Sequence, residues 1–138
     1  MKLAADANVL LSAVLGGRAR LVLSNPDIDE ILTTASVFAE VEEYAAILGQ
    51  KKKISPDTLM LAVASLPVSI VAREVYERSI TLARRRIGKR DPDDVDLLAL
   101  ALHFKVSLWS NDNDFEGCGV EQYTTAELLK KLGVETKG

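Results

Sequence analysis

The sequence contains few of the residues on which several kinds of chemistry depend. Among its 138 residues there is one cysteine, Cys118, and one histidine, His103. A single cysteine excludes an internal disulfide and fits the reducing cytoplasm, where we expect the protein to act. His103 lies in an apolar segment in which a structural role is expected. Nothing here therefore indicates catalysis by a cysteine or histidine nucleophile.

Long apolar runs and a large excess of one charge are also absent. No stretch approaches the length of a membrane span, and Asp6 interrupts the opening residues too early for a signal peptide. The net charge is −3 and the isoelectric point about 5.2, whereas a domain that coats nucleic acid is usually basic. Positive charge is nevertheless concentrated in two blocks, which are Lys51–Lys53 and the group Arg84, Arg85, Arg86, Lys89 and Arg90.

The order of apolar segments predicts one α/β domain over residues 1–138. No internal repeat or change of composition marks a boundary, and 48% of the residues are hydrophobic. Short apolar runs alternate with longer helical patterns, which is typical of a mainly parallel sheet. The predicted strands are 3–5, 30–34, 68–71, 106–110 and 120–123. The predicted helices are 7–15, 20–24, one capped by Thr34 or Ser36 and ending near 48, one from 56, 73–87, one from 91–92, and 125–132.

Carboxylates follow two of these strands. Asp6 comes directly after the first strand, and Asp112 comes after the strand at 106–110. Sites in open parallel sheets form beyond the carboxyl ends of the strands, so both acids should face one crevice. A cap or a turn is the simpler role for either acid alone. The nearby Asn8 and Ser110 could bind a ligand, orient a carboxylate or act as caps.

Asp94 is the clearest example of an acid that faces inward. In a helix it shares one face with apolar residues that must be buried, namely Leu97, Leu98 and Ala101. A helix N-terminus also tolerates an acid, which is the alternative role. We expect Asp93 and Asp96 to point elsewhere, and Asp91 to contribute at most a peripheral charge.

The positions of two further acids are less constrained by the pattern. Glu40 lies at one edge of the apolar stripe of its helix, with Glu42 at the other edge and Glu43 opposite. Periodicity does not separate Glu40 from Glu42, and a solvated acid fits the spacing equally well. Asp114 follows Asp112 by two residues and is either a further ligand or a turn residue.

Several carboxylates in apolar surroundings are costly without a counter-ion. A lone buried carboxylate shifts its pKa and becomes neutral, and converging carboxylates repel one another unless a cation holds them. Oxygen ligands suit the hard cations Mg²⁺ and Mn²⁺. The pattern therefore predicts a divalent metal site.

Four short motifs occur in order along the chain. They are Asp6-Ala7-Asn8, an inward Glu40, Arg90-Asp91-Pro92-Asp93-Asp94 before an alanine-rich apolar helix, and Ser110-Asn111-Asp112-Asn113-Asp114-Phe115. Together they resemble the PIN domain family of metal-dependent ribonucleases, whose VapC-like members are toxins of toxin–antitoxin pairs. The resemblance covers nearly the whole chain. It implies a Rossmann-like α/β/α sandwich with a four- to five-stranded, mainly parallel sheet.

The resemblance also implies a role for each motif. The catalytic acids would be Asp6, Glu40, Asp94 and Asp112, and the Mg²⁺ or Mn²⁺ ligands would be Asp6, Asp94, Asp112 and Asp114. Ser110 matches the Thr or Ser that family members carry before the fourth acid, while Asn111 stands where Gly or Arg is often found. The implied activity is hydrolysis of RNA phosphodiester bonds by metal-activated water. Arg18, Arg85 and Arg86 would contact the RNA backbone, and the implied partners are a second copy of the chain and a cognate antitoxin.

Three other classes of protein would share some of these features. A catalytically inactive PIN-like domain could bind nucleic acid or act as a scaffold, although such a copy should have lost one or more of the acids. A signalling receiver domain would need a phosphoacceptor Asp after a central strand and a Lys after a late strand, and neither pairing is present. A phosphatase of the Asp-x-Asp type lacks its general acid here, because Asn8 occupies the second position.

Overall fold

The computed structural model describes residues 1–88 and 91–134, and it contains a five-stranded sheet in which neighbouring strands pair in parallel. The strands are β1 Lys2–Ala5, β2 Glu30–Thr34, β3 Ser69–Val71, β4 Ser107–Trp109 and β5 Gln122–Tyr123. Their order across the sheet is β3-β2-β1-β4-β5. The chain thus builds outward from β1 to β3 and then returns to the other side of β1. The predicted α/β fold with a parallel sheet is confirmed.

Helices form a layer on each side of this sheet. They are α1 Ala7–Val14, α2 Ala19–Leu23, α3 Ala35–Lys51, α4 Pro56–Ala64, α5 Arg73–Tyr76, α6 Ile80–Ile87, α7 Pro92–Phe104 and α8 Thr125–Lys131. Helix α1 contacts α2, α3 and α4, and α3 contacts α4, whereas α5 and α6 pack against α7. In the part of the chain that the structure describes, no helix has the length and apolar character needed to cross a membrane.

The central strands are almost completely buried because helices cover both faces of the sheet. Leu3, Ala4 and Ala5 of β1 and Leu108 and Trp109 of β4 are fully excluded from solvent. Because these residues are apolar and buried, the next polar side chains along each strand lie just beyond its carboxyl end. The core therefore fixes where β1 and β4 end, and with them the residues that follow.

Side-chain caps set the points at which helices begin after these strands. The Thr34 hydroxyl accepts a hydrogen bond from the Val37 N–H at 3.0 Å and starts α3 at the end of β2. Asp91 caps α7 by accepting from the Asp93 N–H at 2.8 Å. Thr124 and Glu127 form a capping box at the start of α8. Asp91, Thr34 and Thr124 all lie at the carboxyl edge of the sheet or beside it.

Two predicted helix boundaries were wrong. The helix expected over 73–87 is divided into α5, a 3₁₀ turn at Glu77–Ser79 and α6, and at this division the Tyr76 hydroxyl donates to the Asp96 carboxylate at 2.8 Å. The helix expected to end near 48 continues through Gly49. A Cβ at Gly49 would lie 2.4 Å from Leu59 Cδ2, so the glycine permits the close approach of α4 to α3 and does not end the helix.

A buried hydrogen bond joins β4 to α8 and gives a test of the fold. The Trp109 indole N–H donates to the Thr125 hydroxyl at 3.0 Å. Thr125→Val keeps the shape of the side chain but leaves the indole N–H without an acceptor, so we expect the free energy of unfolding to fall by about 1–3 kcal/mol. Urea denaturation measures this change. Thr58→Val, the same substitution at an exposed position of α4, should change it by less than about 0.5 kcal/mol; equal effects at the two sites would contradict the role of this bond.

Candidate functional site

Two acids and a serine meet at the carboxyl ends of the two central strands. Ala5 of β1 is paired with Trp109 of β4, so the next residues along each strand, Asp6 and Ser110, lie side by side. Asp6 is only 7% exposed and Ser110 is fully buried. Asp112 follows two residues after Ser110. The parallel pairing thus brings together the strand-end residues that the sequence indicated.

Ser110 connects the two acids. Its hydroxyl is hydrogen-bonded to the Asp6 carboxylate and accepts a hydrogen bond from the Asp112 N–H at 3.3 Å. Asp6 also accepts from the Val9 N–H at 3.0 Å and so caps α1. Asp6 can therefore cap α1 and lie beside Asp112 at the same time. The Asn8 side chain, in the first turn of α1, is exposed.

The Asp94 carboxyl lies in the first turn of α7 and faces the other acids. Burial, together with the negative charges of Asp114, Asp112, Asp91 and Asp6, raises its pKa to about 7. Burial also raises the pKa of Asp6, and Asp112 contributes to it, while the hydrogen bonds from Ser110 and Val9 act in the opposite direction. The carboxyls of Asp6, Asp94, Asp112 and Asp114 thus share one electrostatic environment.

Glu40 approaches this environment from α3. Its pKa is raised first by burial and then by the charges of Asp93 and Asp91, by a hydrogen bond with the Asp93 carboxyl, and by Asp6. We expected Asp93 to point away from the site, and this was wrong. The helical phase of α7 correctly turns Asp94 inward, but the contact of Asp93 with Glu40 depends on how α3 packs beside α7. Asp96 does point elsewhere, since it accepts from Tyr76.

The loop after β4 is held in a tight turn that presents its acids. The Asp112 carboxylate accepts from the Asp114 N–H at 3.0 Å, and the Gln122 side chain donates to the carbonyls of Ser110 and Asp112 at 3.1 and 2.7 Å. Asp114 therefore takes part in the turn through its backbone, while its carboxylate makes the largest charge contribution to the pKa of Asp94. Gln122 was not singled out in the sequence, because its partners depend on the pairing of β5 with β4.

The chemistry of these side chains fits a hard divalent cation. Every acid near Asp94 offers carboxylate oxygen, which is the donor that Mg²⁺ and Mn²⁺ prefer. A cation would offset the burial and the repulsion that raise the pKa values of Asp6 and Asp94. The present placement of these acids is more open: within residues 1–88 and 91–134 no group of three or more His, Cys, Asp or Glu side chains is arranged so that it could hold a metal ion. The acids share one site without converging on one point.

The basic residues selected from the sequence lie in different surroundings. Arg18 is exposed and lines a groove of about 490 Å³ with Asn111 and Thr124, next to the acidic loop. Arg85 is exposed on α6. The Arg86 guanidinium donates to the Cys118 carbonyl at 3.2 Å and so contacts the far end of the same loop. The remaining members of the basic block, Lys89 and Arg90, lie outside the described residues, as does the first residue of the Arg90–Asp94 motif.

Comparison with known proteins identifies related sequences and folds. A family model described as PIN domain matches residues 5–133. A toxin–antitoxin complex from Klebsiella pneumoniae has a similar fold, with a TM-score of 0.66 and 19% identity over 89% of this chain and 97% of that chain. The crystal structure of VapBC2 from Rickettsia felis bound to a promoter DNA fragment gives a TM-score of 0.63 and 14% identity over 90% and 98% of the two chains. The search of curated proteins found no match.

The raised pKa of Asp94 predicts how stability depends on pH in the absence of metal. A carboxyl whose pKa is about 7 when folded and 3.8 when unfolded binds more protons in the folded state between these values, so the free energy of unfolding falls as the pH rises through this range. Asp94→Asn removes the titrating group and with it this decrease in the free energy of unfolding. With chelator present, we expect a higher Tm than wild type at pH 8 and a weaker dependence on pH between 5 and 8, measured by thermal unfolding.

Asp57→Asn is the matched control for this substitution. Asp57 also lies in the first turn of a helix, α4, but it is exposed. Both changes remove an acid that interacts favourably with a helix N-terminus, so only the burial and repulsion at Asp94 differ. A Tm for Asp94→Asn that is no higher than wild type at pH 8, with the dependence on pH unchanged, would show that this carboxyl is not under electrostatic stress.

Proposed function

Because the chain belongs to the PIN domain family, we propose that it is an endoribonuclease that hydrolyses RNA phosphodiester bonds with Mg²⁺ or Mn²⁺. The observation that carries this proposal is the shared environment of Asp6, Asp94, Asp112 and Asp114 at the carboxyl edge of β1 and β4. A set of mutually repelling acids destabilises the folded chain unless a cation compensates it. Binding a divalent ion gives this arrangement a function.

Each acid has a distinct place in the proposed reaction. Asp6, Asp94, Asp112 and Asp114 would hold the metal, which supplies, when bound, a water of lowered pKa and positive charge against the phosphate. Ser110 orients the Asp6 carboxylate through their hydrogen bond. The Glu40 carboxyl, with its raised pKa and its hydrogen bond to Asp93, is placed to accept a proton and to release one during hydrolysis.

We also propose a setting for this activity. The chain, over residues 1–138, would act in the cytoplasm on RNA contacted by Arg18, Arg85 and Arg86, and it would pair with an antitoxin and with a second copy of itself. The similarity in fold to a toxin–antitoxin complex and to VapBC2 supports the antitoxin. Met60 and Leu61, which are 70% and 68% exposed on α4, provide apolar surface for a protein partner. Light scattering of the purified chain should give about twice its mass of 15.0 kDa if it forms a dimer.

A catalytically inactive PIN-like domain that binds nucleic acid or acts as a scaffold is the second candidate. The observation that favours it is the absence, among residues 1–88 and 91–134, of a group of acids already arranged as metal ligands. The two functions differ in what metal does. A nuclease requires Mg²⁺ or Mn²⁺ for cleavage, whereas a binding domain associates with RNA and leaves it intact with or without the ion.

Metal-dependent cleavage tests the proposed activity directly. Purified protein is incubated with labelled single-stranded and structured RNAs in Mn²⁺, in Mg²⁺ and in chelator. We expect products only with metal, and a loss of activity of about 100-fold or more in Asp6→Asn and Asp94→Asn, because each removes a charged ligand. Intact RNA under all conditions, with the protein bound to it, would favour the binding domain instead.

Glu40 and Glu43 provide a matched pair on one helix. Glu40 faces the other acids from α3, whereas Glu43 is exposed on the same helix. Glu40→Gln should therefore reduce the cleavage rate strongly, and Glu43→Gln should leave it within about twofold of wild type. Equal rates in the two variants would remove Glu40 from the catalytic set.

A further inference from the structure

A second groove adjoins the acidic site on the side of β3. It has a volume of about 370 Å³ and lies between the start of α3, the start of α5, the end of α6 and the start of α7. The residues that matter here are Ser36, Arg73, Arg84, Asp93 and Asp96. Because the Asp93 carboxyl is hydrogen-bonded to that of Glu40, the groove and the acidic site share a wall.

The charged side chains of this groove differ in their hydrogen bonding. The Asp96 carboxylate accepts from the Tyr76 hydroxyl at 2.8 Å, and the Asp93 carboxyl faces Glu40. In contrast, no hydrogen bond or ion pair between residues within 1–88 and 91–134 engages the guanidinium of Arg73 or Arg84, and both residues are exposed. The two acids are oriented by these hydrogen bonds but keep their negative charge. The guanidinium group of Arg73, whose charge also acts on Tyr76, and that of Arg84 are exposed to a ligand.

The strand order places this groove at one end of the carboxyl edge. Arg73 follows β3 directly, and β3 lies two strands from β1, or roughly 10 Å across the sheet. At the opposite end of the edge, Thr124 follows β5 and lines the groove that contains Arg18. A chain molecule lying along this edge would pass the Arg73 groove, the acids and the Arg18 groove in turn.

We infer that the groove of Arg73 and Arg84 binds a phosphate of the RNA strand adjacent to the phosphate that is cleaved. Planar guanidinium groups suit phosphate oxygens, and the Ser36 hydroxyl offers a further donor. The acids at the centre of the edge repel the RNA backbone, so cationic contacts beside them are needed to hold the strand in place. This inference rests on the proposed ribonuclease function and names the part of the protein that positions its substrate.

Binding of a short single-stranded RNA of mixed sequence tests this inference. Fluorescence anisotropy is measured in Mg²⁺ on an Asp94→Asn background, so that cleavage does not interfere. We expect Arg73→Ala and Arg84→Ala each to weaken binding by about tenfold, and each to reduce the slope of log affinity against log salt by about 0.7, the value for one phosphate contact on a single strand. Thermal unfolding verifies that the variants remain folded.

Arg78→Ala is the matched control. Arg78 lies in the turn between α5 and α6, is exposed and does not line the groove, so its loss should change RNA affinity by less than about twofold. An equal loss in Arg78→Ala would mean that diffuse positive charge, and not this groove, holds the RNA, and it would overturn the inference.

The remaining outcomes separate this inference from the proposed function. If the otherwise unaltered chain cleaves RNA with metal but Arg73→Ala and Arg84→Ala bind RNA as tightly as their parent, the phosphate groove is wrong and the nuclease remains. If the chain neither binds nor cleaves RNA under any metal condition, the proposed function fails and the groove fails with it.

Discussion

Repulsion between carboxyls at the seam of β1 and β4 is the constraint on which the rest of the site depends. Parallel pairing of these two strands fixes Asp6 beside Ser110, and the apolar face of α7 fixes Asp94 opposite them. Burial and the charges of neighbouring acids raise the pKa values of both carboxyls. Because perturbed carboxyls of this kind are typical of functional sites, we propose that a cation binds at this edge.

The surroundings of these acids differ on the two sides of the sheet edge. Towards β5, the Ser110 hydroxyl accepts a hydrogen bond from the Asp112 N–H, and the Gln122 side chain donates to two carbonyls of the loop that carries Asp112 and Asp114. Towards β3, Glu40 and Asp93 share a hydrogen bond and border a groove whose arginines have no acidic partner among the described residues. The same edge thus offers carboxylates at its centre and guanidinium groups beside them, which is a suitable arrangement for a polyanion cleaved with the help of a cation.

The sequence predicted those features that depend on a single element and failed on those that depend on packing. Asp6 and Asp112 followed from apolar strands that end at an acid, and Asp94 followed from the period of its own helix. The contact between Asp93 and Glu40 could not be predicted, because it requires the position of α3 relative to α7. Gly49 was predicted to end its helix because glycine commonly follows the last helical residue. Its contact with Leu59 depends on the packing of the next helix and could not be predicted. Arg73 carried no local signal, since its position beside the site comes from the place of β3 in the strand order.

The most direct test of the proposed metal site is to find where a metal ion binds. Crystals grown without metal and soaked in Mn²⁺ would be measured at a wavelength that gives anomalous signal from manganese. We predict a peak in contact with carboxylate oxygens of Asp6, Asp94 and Asp112 or Asp114, together with movement of these side chains towards the ion. Crystals that take up no Mn²⁺ at saturating concentration, or that hold it only away from these acids, would contradict the proposal that this edge of the sheet is a metal site.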